Sequence, residues 1–328
     1  MPKLLSGQNE VNYELAGPDG GPRYVLVNGL TQYAALWRPL RDALAEAGFR
    51  VVTFDLLGQG ESDKPGLFIG LDDQVAMLRD LIAATGGGRP VFLAGISFGG
   101  VVALRYAIAH GATLAGLVPM STFAALTPQL LLLGTALRNG LVLGGIGYLQ
   151  DLLLPMNVSD AWLEPRLDKL DAVKRPGWLV NDLCALQNLM ESFVTFKPMT
   201  EDLPRISAPC MILNGEFDFL TTRPMHDAIR AGVPDSALVI VPRAYHAFTL
   251  EKPLLTADLL RRFAEDVLAG HWAGGGAVRV APEEPGGAIL PFPEGFDPLR
   301  AIPAPFAVPQ SHAPKRKRKR ARGAGGER

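Results

Sequence analysis

The segment Val91-Phe92-Leu93-Ala94-Gly95-Ile96-Ser97-Phe98-Gly99-Gly100 restricts this chain more than any other. An apolar run rich in strand-forming residues ends in Gly-x-Ser-x-Gly, and a helical pattern from Val101 to His110 begins at once. A chain that passes from strand to helix so abruptly strains its backbone and lifts the serine hydroxyl clear of its neighbours. The flanking glycines are required because a Cβ there would collide with the adjoining strand or helix. Gly-x-Ser-x-Gly alone is common by chance, and the strand before it and helix after it give it meaning.

The rest of the chain fits the same architecture. Short apolar runs at Asn12–Ala16, Tyr24–Asn28, Arg50–Phe54, Pro90–Ala94, Leu114–Pro119, Pro209–Asn214 and Leu238–Pro242 read as strands. Helical patterns lie near Leu36–Ala47, Leu71–Ala84, Val101–His110, Thr222–Ala231 and Leu254–Ala269. Near-continuous apolar strands alternating with helices predict an α/β fold, a mostly parallel central sheet with helices on both faces. The first two runs, joined by the Gly17–Pro22 turn, read as an antiparallel hairpin feeding that sheet.

The alternation lapses between Ser121 and Asp202, in a leucine-rich stretch too long for a loop. We therefore expect core over 1–120, a helical cap over 121–202, core again over 203–271, and a disordered Pro/Gly-rich tail over 272–328. Within Leu130–Leu154, the most apolar region, Arg138, Asn139, Gln150 and Asp151 interrupt the run, so neither half approaches the roughly 20 apolar residues of a membrane span. No apolar N-terminal leader is evident either, and the expected location is cytoplasmic.

Cys184 and Cys210, the two cysteines, sit in apolar surroundings and are expected to be buried. The net charge of −1 hides an acidic body and a basic run, Lys315 to Arg320, in the tail. That run reads first as a solvated arm; weak electrostatic binding to nucleic acid or an anionic surface is its alternative use. The body, with scattered aromatics and no basic face, carries no sign of specific nucleic-acid recognition. No metal-ligand cluster or cofactor fingerprint is evident. Gly86-Gly87-Gly88 precedes a strand instead of opening a helix, the wrong context for phosphate.

A nucleophilic serine needs a base, and the base needs a partner that fixes its tautomer. Of five histidines, His110 ends the helix after Ser97, His226 falls in a surface-helix pattern, His271 ends the last helix and His312 lies in the tail. His246 remains, in the loop after the Leu238–Pro242 strand. The acid is sought in Gly215-Glu216-Phe217-Asp218, after another strand; Asp218 is preferred and Glu216 competes. The amides of Leu30, after Gly29, and of Phe98, after the serine, are the candidate oxyanion donors. All these groups fall where open α/β sheets place their sites, at strand carboxyl ends.

From about Gly7 to Gly270 these residues resemble the α/β-hydrolase superfamily. The resemblance rests on the Ser97 turn, on Asp55-Leu56-Leu57-Gly58-Gln59-Gly60-Glu61-Ser62, on Asn214–Asp218, and on His246 with Glu251 and Pro253. Departures are Asn28-Gly29 where the family usually has His-Gly, and Tyr245 in place of a glycine before the histidine. The Asn-Gly loop and Asn214–Thr222 are similar to a narrower branch, the 3-hydroxyacyl transacylases and hydroxyalkanoyloxy-alkanoate synthases. That branch implies acyl carrier protein or coenzyme A thioesters as partners.

Three readings follow. The first is a serine hydrolase cleaving an ester or related acyl substrate with an apolar portion, using Ser97, Asp218 and His246. The second is an acyltransferase on 3-hydroxyacyl thioesters. The third is an inactive hydrolase-fold binding protein with a basic tail. The surplus of leucines in the cap predicts an apolar slot above Ser97.

Overall fold

The computed structural model describes residues 2–293. In chain order its elements are β1 (Lys3–Ser6), β2 (Asn9–Ala16), β3 (Arg23–Val27), α1 (Arg38–Glu46), β4 (Arg50–Phe54), α2 (Leu71–Gly86), β5 (Val91–Ile96), α3 (Phe98–His110) and β6 (Leu114–Met120). There follow the cap helices α4 (Pro128–Asn157), α5 (Asp160–Leu163), α6 (Leu170–Val180) and α7 (Leu183–Glu191). The core resumes with β7 (Cys210–Gly215), α8 (Arg223–Gly232), β8 (Ser236–Val241), α9 (Phe248–Glu251), α10 (Pro253–Leu268), β9 (Val278–Val280) and β10 (Leu290–Pro291).

The strands form one sheet in the order β1-β2-β4-β3-β5-β6-β7-β8-β9-β10, parallel from β4 through β9 and antiparallel at both ends. Side chains alternate across it. On β3, Val25 and Val27 enter the core shared with α2 and α3, whereas Tyr24 and Leu26 enter the core shared with α1 and α10. Both faces are therefore covered, which is why the strands show no polar face in the sequence.

Several expectations need correction. β2 and β3 do not pair as a hairpin. β2 pairs instead with β1 and β4, and β4 lies between β2 and β3. Glycines admit it: a Cβ on Gly17 would sit 2.0 Å from the Phe49 carbonyl oxygen, and one on Gly21 2.2 Å from that of Gly48. The segment expected to be disordered from 272 is structured over its first part. β9 adds to β8 and β10 returns along β9, with Arg262 donating to the Gly287 carbonyl at 2.7 Å. Such an addition uses the free backbone groups of an edge strand and needs no apolar pattern. His312 and Lys315–Arg320 lie outside the described residues.

Cys210 is buried but Cys184 is exposed. On α7 the inward stripe is Ala185, Leu186, Leu189 and Met190, and position 184 falls outside it. By length and composition α4 could cross a membrane, yet its backbone breaks at Gly145, with φ 76° and ψ −175°. Leu137, Leu149 and Leu153 on this helix face inward, while Leu132 and Leu143 are exposed.

Candidate active site

Ser97 stands between β5 and α3 with φ 55° and ψ −119°, a conformation that costs on the order of 1–3 kcal/mol for a residue with a side chain. The turn is held by close backbone approach. A Cβ on Gly95 would meet the Gly99 carbonyl oxygen at 2.3 Å, and one on Gly99 would meet the Val27 and Asn28 carbonyl oxygens at 2.4 Å. Behind the turn, Ser97 N–H donates to the Met120 carbonyl at 2.9 Å, and the Thr122 hydroxyl donates to the Ser97 carbonyl at 2.8 Å.

His246 follows β8 and is buried, with Nδ1 3.0 Å from Asp218 Oδ2. Asp218 is itself buried. It accepts from the Leu220 and Thr221 amides at 3.0 and 2.8 Å, and from the Thr221 hydroxyl at 2.7 Å. Burial opposes ionisation of this carboxyl, but the neighbouring His246, its hydrogen bond, the Thr221 amide and His226 outweigh it and hold the pKa below the ordinary carboxylate value. Glu216 goes elsewhere: its carboxylate accepts from the Arg243 amide at 2.8 Å, at the surface.

Ser97, His246, Leu30 and Phe98 all line one cavity of about 200 Å³ beneath the cap. Its other walls are mostly apolar, with Leu130, Leu137, Leu149 and Leu153 from α4 and Phe123 and Phe193 flanking the Ser97 turn. Among the described residues, the Leu30 and Phe98 amides have no hydrogen-bond acceptor, and both residues line this cavity with Ser97. Arg138 and Glu191 pair with each other across α4 and α7 at the same slot.

Four residues take supporting roles that the sequence reading did not give them. Gln59 is fully buried and donates to the Gly29 and Leu30 carbonyls at 2.8 and 2.5 Å, bracing the backbone that carries the Leu30 amide. Thr221 brackets the His246–Asp218 pair, its hydroxyl 3.3 Å from His246 Nδ1. Glu251 accepts from the Tyr245 amide at 3.0 Å and the Ser159 amide at 2.9 Å, tying the His246 loop to the cap. His226, expected on a surface, is completely buried; its Nε2 accepts from the Thr122 amide at 2.9 Å. Only buried polar spacing in three dimensions reveals these roles.

The departure at Asn28 also acquires a reason. Asn28 is a bracket, donating to the Phe54 carbonyl at 2.9 Å and accepting from Trp37 Nε1 at 2.7 Å. At Gly29 a Cβ would meet the Gln32 side chain at 3.4 Å, an ordinary contact. The Asp55 turn is structural: Asp55 accepts from Ala34 N–H at 2.7 Å and Asn12 Nδ2 at 2.8 Å, and a Cβ on Gly60 would sit 2.2 Å from its carboxyl carbon.

The family described as serine aminopeptidase S33 matches residues 22–253, which include every group of this site. The chain is an α/β-hydrolase. Along 84% of its length this hydrolase is 30% identical to the polyketide synthase ThaQ of Burkholderia thailandensis, but it spans only 13% of that protein. Its fold is that of the enol-lactonase of Burkholderia xenovorans (TM-score 0.71, 20% identity, covering 82% of this chain and all of that one). It is equally that of a thermophilic esterase from Thermogutta terrifontis (TM-score 0.73, 22% identity, 81% and 99% covered). At family level, hydrolysis goes with this membership.

Proposed function

We propose that this hydrolase cleaves an ester or related acyl substrate with an apolar acyl portion through a serine acyl-enzyme. The observation that carries the reading is the buried Asp218–His246 pair at 3.0 Å, opening onto the same slot as the strained Ser97. With Nδ1–H donated to Asp218, His246 keeps the lone pair on Nε2 and accepts the Ser97 proton as Oγ attacks the substrate carbonyl. The Leu30 and Phe98 amides, already without acceptors, take the developing oxyanion. His246 then returns the proton to the departing oxygen, leaving an ester on Ser97. Water attacks that ester, gives one proton to His246, and the Ser97 oxygen leaves by recovering it.

A fluorophosphonate probe and mass spectrometry test this. An adduct on Ser97, absent after Asp218→Ala and His246→Ala, is the expected result. A wild-type chain that binds no probe and turns over no ester returns it to the class of hydrolase-fold binding proteins.

Acyl transfer is the second reading, supported by the apolar walls of the slot, which disfavour entry of water. A thioester on acyl carrier protein or coenzyme A would supply the acyl group and a hydroxyl or thiol would accept it. Free acid released from a 3-hydroxyacyl thioester at the same rate with and without acceptor supports hydrolysis; acceptor-dependent product supports transfer.

A further inference from the structure

We infer that His226 is a positioning residue for the reaction at Ser97, clamping the serine turn to the acid loop through one neutral imidazole. The inference rests on the catalytic reading above but names a group that touches neither substrate nor any proposed triad member by hydrogen bond.

The geometry is specific. His226 lies one turn into α8, which follows directly on the loop carrying Asp218, Thr221 and Thr222. Its Nδ1 is 3.1 Å from the Thr222 carbonyl, and its Nε2 is 2.9 Å from the Thr122 backbone nitrogen. A backbone N–H can only donate and a carbonyl can only accept, so the two contacts together select one tautomer, with the proton on Nδ1. Thr122 in turn donates its hydroxyl to the Ser97 carbonyl at 2.8 Å. A chain of three hydrogen bonds therefore runs from Thr222 through His226 and Thr122 to Ser97.

The far end of that chain is the acid loop itself. Thr221, next to Thr222, donates to Asp218 at 2.7 Å and lies 3.3 Å from His246. The serine turn and the loop holding the acid are thus joined behind the site, on the side away from the slot. The clamp sits where the serine turn is tightly packed: a Cβ on Gly100 would stand 2.6 Å from that of Thr122, and Ser121 has φ 42°. Strain of this kind persists only when surrounding contacts over-determine it. Shifts well under 1 Å between Ser97 and His246 change the approach to the carbonyl, and misplacement by 1 Å can cost on the order of 10²-fold.

Burial, the largest influence, and the nearby His246 both disfavour the cation on His226; Asp218, the Thr222 carbonyl and Asp227 favour it, and burial prevails. The clamp therefore stays neutral, with its acceptor intact, at pH values where an exposed histidine would have protonated.

The test compares His226→Gln, whose Oε1 can occupy the Nε2 position as an acceptor, with His226→Leu, alongside Thr122→Val and the double variant His226→Leu/Thr122→Val. Readouts are thermal midpoint, kcat and KM for a p-nitrophenyl ester, and the rate of fluorophosphonate labelling of Ser97. We expect His226→Gln to stay within about threefold of wild type, and His226→Leu to lose about 10–100-fold in kcat and labelling rate with KM within about twofold. The double variant should lose less than the product of the two single losses, because both cut one chain. Equal loss in Gln and Leu, a loss confined to the thermal midpoint, or fully multiplicative losses would overturn the inference. Wild-type protein that fails to label at all speaks against the triad and is distinguishable from each of these.

Discussion

Asp218 Oδ2 lies 3.0 Å from His246 Nδ1 and 2.7 Å from the Thr221 hydroxyl, so a single carboxylate oxygen holds both the histidine and a residue of the acid's own loop. The other oxygen is occupied by the Leu220 and Thr221 amides at 3.0 and 2.8 Å. With Asn214 Nδ2 at 3.5 Å from Oδ2, five donors fix the carboxylate's orientation and keep it ionised despite burial. That arrangement separates Asp218 from Glu216 by its hydrogen-bond partners as well as by place.

Asp218→Asn keeps the shape and removes the charge that stabilises a protonated His246. Turnover of a p-nitrophenyl ester should fall by about 10⁴-fold. Glu216→Gln, altering a surface contact to the Arg243 amide, should leave turnover within about twofold. Reversed outcomes would make Glu216 the orienting acid.

Gln59→Leu removes the donor that holds the Gly29 and Leu30 carbonyls. In the proposed mechanism, the loop bearing the Leu30 amide then no longer holds that donor in place for the developing oxyanion. Steady-state kinetics should show kcat down by about 10–100-fold, with KM nearly unchanged. An unaltered kcat would show that Leu30 does not depend on this bracket.

Two glycines separate crowding from permissiveness. Gly99→Ala drives a Cβ to 2.4 Å from two backbone oxygens, which cannot retreat without moving β3. It should destabilise the fold by at least about 3 kcal/mol and abolish Ser97 labelling. Gly29→Ala meets only a glutamine side chain at 3.4 Å and should keep the wild-type thermal midpoint within about 2 °C.

Stability should also respond to acid through His226. Its pKa in the folded chain lies below the ordinary value of 6.5, so folding excludes a proton that the unfolded chain takes up. The contribution is complete above pH 6.5 and is lost as the pH falls from there towards the folded pKa. Its slope is at most about 1.4 kcal/mol per pH unit. Urea titrations between pH 7 and 5 should show a shallower decline in His226→Gln than in wild type, and parallel declines would contradict it.

Much of this enzyme is readable residue by residue. The Arg50–Phe54 strand matches its reading at both ends, and the Ser97 turn, the Asp218 loop and the His246 loop all lie at strand carboxyl ends. These features are local: a run of β-branched and apolar residues, a glycine where no Cβ fits, a helix period of 3.6. Each is encoded within a dozen neighbours, so reading along the chain recovers it.

What folding in three dimensions added is long-range. β4 enters between β2 and β3 because glycines at 17 and 21 accept its backbone, a contact between segments some thirty residues apart. His226 looks like a surface residue on α8, yet it is sealed against Thr122, 104 positions earlier. β9 completes an edge through main-chain hydrogen bonds that leave no mark on side-chain pattern. Periodicity reports which face of an element is apolar, but which partner covers that face depends on how distant elements compete for the same buried space. That competition placed His226 inside, gave Asp218 to His246, and left Glu216 at the surface.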